Sequence, residues 1–179
     1  MADVFLSYAS GDLALAEAVE GGLAQAGISV WRDKSRLQGG EPYAQIIQAA
    51  IDEANCVVAL LTATSVQSNW VRTEMEAARS KLLPVLVPPV TLPIDFKALA
   101  GHLHQVDLGP WATAGAHDAW EQFIQSTAGF LQRAVKANQV PEPPAHLAHA
   151  SVAIANSGEV KGVVGIVKGN VTLNFGDEN

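Results

Sequence analysis

A chain of 179 residues is long enough to bury the core of one ordinary domain and to carry a tail beyond it. Apolar residues make up 49% and charged ones 16%, which excludes a disordered chain. The net charge is −7, and the longest basic cluster, Arg32-Asp33-Lys34-Ser35-Arg36, is broken by an acid, so neither nucleic acid nor an anionic membrane is the expected partner.

The single cysteine, Cys56, lies within an apolar run, where a buried and inert thiol is expected. Strand-forming residues begin at Val4, leaving no room ahead of them for a signal peptide, and runs such as Leu82–Val90 are too short and proline-broken to span a bilayer. A cytoplasmic protein is the expectation.

Val4–Ser7 reads as a short buried strand. Ser10-Gly11-Asp12 stops it, and Asp12 is expected to do no more than cap a helix over Leu13–Ala26, closed by Gly27. Ile28–Trp31 reads as the second strand. Asp33–Gly40 is a polar loop ending in two glycines, and Glu41-Pro42 suits the first turn of the next helix. Cys56–Leu61, apolar throughout, has the pattern of a central strand covered on both faces. Thr62–Ser68 is a hydroxyl-rich loop, from which Ser68 or Asn69 can cap the helix carrying Trp70 and Glu74. These two residues are four apart, so on a helix they stack on neighbouring turns. A fourth strand is expected over Leu83–Val87 with Pro84 at its start, then an irregular stretch from Val90 to Leu99 with a turn of helix. A short fifth strand over Gln105–Leu108 and a last helix over Asp118–Ala137 complete the series. Alternation of strand and helix makes the fold class α/β: a five-stranded parallel sheet in flavodoxin-like order.

Residues 138–150 contain Pro141, Pro143 and Pro144 and read as an extended linker. Residues 151–179 form a β-prone tail, valine-rich and low in charge, in which Val160-Lys161-Gly162 recurs as Val167-Lys168-Gly169.

Asp3-Val4-Phe5-Leu6-Ser7-Tyr8, then Gly27–Asp33 with Leu37-Gln38-Gly39-Gly40-Glu41, then Ser68-Asn69-Trp70-Val71-Arg72-Thr73-Glu74 resemble, in order and separation, three motifs of the TIR (Toll/interleukin-1 receptor/resistance) domain. They are its first strand, its second strand with the mobile BB loop, and the W-x-x-x-E stretch of its catalytic members. The resemblance covers residues 3–137. It implies hydrolysis of NAD+ at the nicotinamide–ribose bond, with Glu74 as catalytic carboxylate and NAD+ as substrate rather than cofactor. It places Tyr8, Ala9, Ser10, Trp31, Arg32, Asp33, Leu37, Gly39 and Trp70 around the nucleotide. Active relatives often follow the tyrosine of the first strand with basic residues. Here Ala9-Ser10 follow, leaving backbone groups, Ser10, or Arg32, Lys34 and Arg36 to meet the diphosphate.

The tail resembles bacterial amyloid signalling motifs of the RHIM-like kind, in which stacked copies pair backbone to backbone. This implies a homo-oligomer formed through TIR stacking and the tail, an upstream sensor with a matching motif, and a setting in bacterial immunity or cell suicide. Each residue also has an ordinary reading. A glutamate in the first turns of a helix is usually solvated, Trp70 is more often core than platform, Trp31 and Tyr8 are as readily core as ligand contacts, and Glu76 should face solvent. A non-catalytic TIR adaptor is the competing function. A receiver domain is disfavoured, because it needs paired acids after the first strand and an Asp after the third. The five histidines have no metal-ligand spacing.

Overall fold

The computed structural model describes residues 2–32, 41–135 and 139–148, with the backbone of 166–167 and 170–171; for residues 41–43 only the backbone is described. Five strands form one parallel sheet: β1 (Val4–Ser7), β2 (Val30–Trp31), β3 (Cys56–Leu61), β4 (Leu82–Leu86) and β5 (Val106–Asp107), in the order β2-β1-β3-β4-β5. The flavodoxin-like sheet expected from the alternation of elements is the one observed. Register aligns Val4 with Cys56 and Ser7 with Ala59, and β3 with β4 from Val57–Leu82 to Leu61–Leu86.

Helices α1 (Leu13–Gln25), α5 (Gly109–Ala114) and α6 (His117–Leu131) cover one face, where Val4, Leu6, Tyr8, Val58, Leu60 and Val85 meet Trp111, Trp120 and Phe123. Helices α2 (Glu41–Glu53), α3 (Asn69–Ala77) and α4 (Ile94–Ala100) cover the other, over Phe5, Val57, Ala59 and Leu61. Strand periodicity of two sorts every residue of β1 and β3 onto one face or the other.

Several boundaries differ from expectation for physical reasons. Pro84 lies in the middle of β4, not at its start. Val87 N–H bonds Leu61 O on the β3 side and Leu86 O accepts from Leu108 on the β5 side, so the donor that Pro84 lacks would face β5. The β5 ladder begins only opposite Val85, and the missing donor costs nothing there. The last helix ends at Leu131 rather than Ala137, because Gln132 takes a left-handed conformation (φ 52°). The reversal buries Val135 and lets Arg133 reach Asp3 Oδ2 at 2.9 Å and Gly27 O at 3.0 Å. The stretch expected to be irregular holds two turns of helix, α4, and α5 was not anticipated at all.

The largest departure concerns the proline-rich segment. Its described residues, 139–148, lie against the domain instead of extending away. Val140 and Leu147 pack on the core of the α1/α5/α6 face, Trp111 Nε1 donates to Pro141 O at 2.8 Å, and Ala145–Ala148 form a helical turn, α7. Proline restricts the unfolded chain, so a proline-rich strap docks at low entropic cost once it has apolar residues to bury. Gly22 of α1 is where it crosses: a Cβ there would stand 2.3 Å from Trp120 Cζ2 and 2.7 Å from Pro141 Cγ. In the tail, β6 (Ile166–Val167) and β7 (Asn170–Val171) pair antiparallel.

Candidate active site

The Thr62–Ser68 loop leaves the carboxyl end of β3 and is fastened by its own hydroxyls. Thr62 Oγ1 accepts from the backbone N–H of Thr64 (3.1 Å) and Ser65 (2.9 Å), and Ser65 Oγ accepts from Thr62 N–H at 2.7 Å. Such side-chain turns replace backbone bonds and fix the path of a short loop. Thr62 also donates to Asp12 Oδ2 at 2.7 Å, tying this loop to the one after β1. The Asp12 side chain therefore does not cap α1, as expected from sequence; it lies beside a 3-10 turn over Ser10–Asp12 and makes no capping bond. Burial pushes its carboxyl above the ordinary range, against the pull of the Thr62 bond and of His146 on the strap.

Ser68 then caps α3, accepting from Val71 N–H at 3.4 Å. The buried face of the helix is Val71, Glu74 and Met75. Glu74 thus occupies a core position in an otherwise apolar stripe, with 1% of its surface exposed. It is the only fully buried carboxylate among the described residues. Ser7, also fully buried, donates through Oγ to Glu74 Oε2 at 2.5 Å. The site is built where the end of β1 meets the second turn of α3. Glu76 points away into solvent, paired with Arg72 at 3.4 Å.

Trp70, one turn ahead of Glu74, is 45% exposed. Trp31 lies on the Glu74 side of the sheet but lower, level with Phe5, on which its ring is stacked at 4.9 Å and 15°. A cleft of about 240 Å³ beside it, lined by Ala2, Ile46, Ala49, Ala50 and Glu53, does not reach Glu74. Tyr8 faces the opposite side of the sheet and is buried. Its hydroxyl accepts from Arg32 Nη1 at 3.4 Å, and the Arg32 guanidinium lies 5.8 Å from its ring centroid. Arg32 is also bonded to Glu20 (2.7 Å) and Glu17 (3.4 Å). Ala9 is buried and Ser10 exposed at the carboxyl edge of the sheet. Asp33, Leu37 and Gly39 lie outside the described residues.

The geometry thus brings Glu74 to the end of β1, with Trp70 on the adjoining turn, and gathers Tyr8 and Arg32 into a separate cluster. Sequence reasoning missed Ser7 as the partner of Glu74, although alternation along β1 puts Ser7 on the face of Phe5, under α3. Among the described residues no group of His, Cys, Asp and Glu could hold a metal ion, and no helix is long and apolar enough to cross a membrane. The Cys56 thiol is buried and pushed up to about 12 by burial, which makes it unreactive.

The fold is that of a flavodoxin-like α/β protein, with a buried carboxylate at the carboxyl ends of β1 and β3, the edge at which open sheets of this kind commonly hold ligands. The profile of the TIR domain matches residues 4–124, and the chain belongs to the TIR-domain family. Its structure is similar to the TIR domain of the Toll-related receptor TRR-2 from Hydra magnipapillata, with TM-score 0.57 and 19% identity over 71% of this chain and 98% of that one. It is also similar to a metazoan TIR-STING receptor from C. gigas in complex with 2',3'-cGAMP, with TM-score 0.51 and 21% identity over 80% of this chain and 40% of that one. At these identities the likeness is one of fold. A search of curated protein sequences returned no match.

Proposed function

We propose that this TIR domain hydrolyses NAD+, cleaving the nicotinamide–ribose bond to release nicotinamide and ADP-ribose or a cyclic variant, with Glu74 as the catalytic carboxylate. The observation that carries the reading is the burial of Glu74 at the sheet's functional edge, on a helix face otherwise made of Val71 and Met75. A buried carboxylate is costly to keep, and sites that keep one are disproportionately functional.

The chemistry fits one carboxylate. Positively charged nicotinamide leaves readily, and the sugar passes through an oxocarbenium-like cation, so the site needs little acid catalysis. It needs a negative charge that is already in place and poorly screened. At about 4 Å and an effective dielectric near 20, one charge stabilises such a cation by about 4 kcal/mol, which is about 10³-fold in rate. Trp70, half-exposed one turn away, offers a flat face to an aromatic base. The diphosphate would be met by backbone groups near Ala9 and Ser10, or by Arg32 if it gave up Glu20.

Activity in this reading is conditional: copies gather through TIR stacking and the β-prone tail, and clustering, prompted by a sensor with a matching motif, completes the site. A role in bacterial immunity or cell suicide follows from the toxicity of unregulated NAD+ loss. One observation favours the adaptor reading, a docking module without catalysis: Arg32 is engaged by Glu17, Glu20 and Tyr8.

The test is incubation of the full-length protein with NAD+ and chromatography of the products. Nicotinamide should appear with full-length protein. It should fall at low concentration in a chain ending at residue 150, which keeps the docked strap, and recover when that chain is clustered artificially. Glu74→Ala should release none in any format. Release by Glu74→Ala would remove the reading.

A further inference from the structure

A residue hydrogen-bonded to Glu74 has no assigned part. Ser7 is the last residue of β1, wholly buried, and the only polar side chain in a strand that otherwise reads Val4, Phe5, Leu6. Its position in β1 is fixed by the ladder to β3, where it lies opposite Ala59. A buried hydroxyl on a central strand is unfavourable unless it is bonded. This one donates to Oε2 of a carboxylate that reaches it from another element, 67 positions away in sequence.

We propose that Ser7 is a positioning residue for Glu74, holding the plane of its carboxylate from the rigid floor of the sheet. The inference rests on the hydrolase reading above and deepens it. A glutamate side chain has three rotatable torsions, and a carboxylate that can swing stabilises a sugar cation only part of the time. A donor mounted on a strand removes that freedom before substrate arrives, and it favours the ionised form that the chemistry requires. Ser7 touches neither substrate nor leaving group. It acts through the orientation of its neighbour.

The experiment uses full-length protein and three variants: Ser7→Ala, Ser7→Thr and the double variant Ser7→Ala/Glu74→Gln. Ser7→Ala should lower kcat by about 10–100-fold, the scale of a misplaced catalytic group, with KM little changed. Ser7→Thr, which keeps Oγ, should restore kcat to within a few-fold. On the Glu74→Gln background, Ser7→Ala should cost nothing further, because the two act as one unit. A wild-type kcat in Ser7→Ala overturns the proposal, as does a loss that Ser7→Thr fails to rescue or that persists undiminished in the double variant. Melting temperatures of all variants separate these results from misfolding.

A second readout does not need catalysis. In protein labelled with ¹³C at glutamate side-chain carboxyls, the Glu74 resonance, assigned by its loss in Glu74→Gln, should move in Ser7→Ala and hold in Ser7→Thr. Should wild-type protein release no nicotinamide, the hydrolase reading fails, and this resonance still decides whether Ser7 orients Glu74.

Discussion

The two faces of the sheet are built from the same strands and are packed differently. Under α1, α5 and α6 the interior is apolar and aromatic: Trp111 and Trp120 lie 5.0 Å apart, Phe123 meets Trp120 edge-on at 5.2 Å, and the strap of residues 139–148 closes over them. Under α2, α3 and α4 the apolar packing of Phe5, Val57 and Met75 gives way, at the carboxyl edge, to a hydroxyl and a carboxylate. One side is filled with aromatic rings, and the other places a buried hydroxyl and a buried carboxylate among its apolar residues. Buried polar groups of this kind are costly unless they are bonded.

Substitutions on either face test this difference. Trp111→Ala should have the largest effect on stability. It empties a fully buried site and removes the bond to Pro141, so a loss of about 3–5 kcal/mol is expected in denaturant unfolding. Gly22→Ala should cost about 1–3 kcal/mol, because its methyl would meet Trp120 and Pro141 at the crossing of helix and strap. It should also leave the strap more open to limited proteolysis. Glu74→Gln, which keeps an acceptor for Ser7, should change unfolding free energy by no more than about 1 kcal/mol. Equal stability losses on both faces would erase the distinction.

The smallest effect concerns pH. Burial raises the Asp12 carboxyl above its ordinary value of 3.8, outweighing the Thr62 bond. The folded protein therefore holds this proton more tightly than the unfolded chain does. That contribution is fully present below the unfolded value and is lost as pH rises through the folded one. Asp12→Asn should remove this part of the pH dependence, so that melting temperature declines less, or climbs more, between about pH 3 and pH 6 than in wild type.

How much of this could be read from the sequence varies with the range of the forces involved. Strands covered on both faces announce themselves as apolar runs, and Cys56–Leu61 and Val4–Ser7 were legible for that reason. So was the helix of Trp70 and Glu74, capped by Ser68, one of the two candidates Ser68 and Asn69. The burial of Glu74 was not, because a glutamate near a helix start is solvated unless some distant residue receives it, and that residue, Ser7, belongs to another strand. The strap reads as extended because prolines suggest extension, whereas the seat of Val140 and Leu147 is a tertiary surface of the α1/α5/α6 face that no local pattern shows. Arg32 looked like a cation at a loop edge. Glu17 and Glu20, one turn apart on α1, become its partners only when α1 packs beside β2.

In the proposed reaction the buried carboxylate of Glu74 does the chemistry. The most direct measurement is the rate of nicotinamide release from NAD+ by full-length wild type and full-length Glu74→Gln, at a concentration where the chain is clustered, with melting temperatures recorded for both. A catalytic Glu74 predicts a fall of about 10³-fold with the melting temperature nearly unchanged. Equal rates in the two proteins, or release from neither, would contradict it.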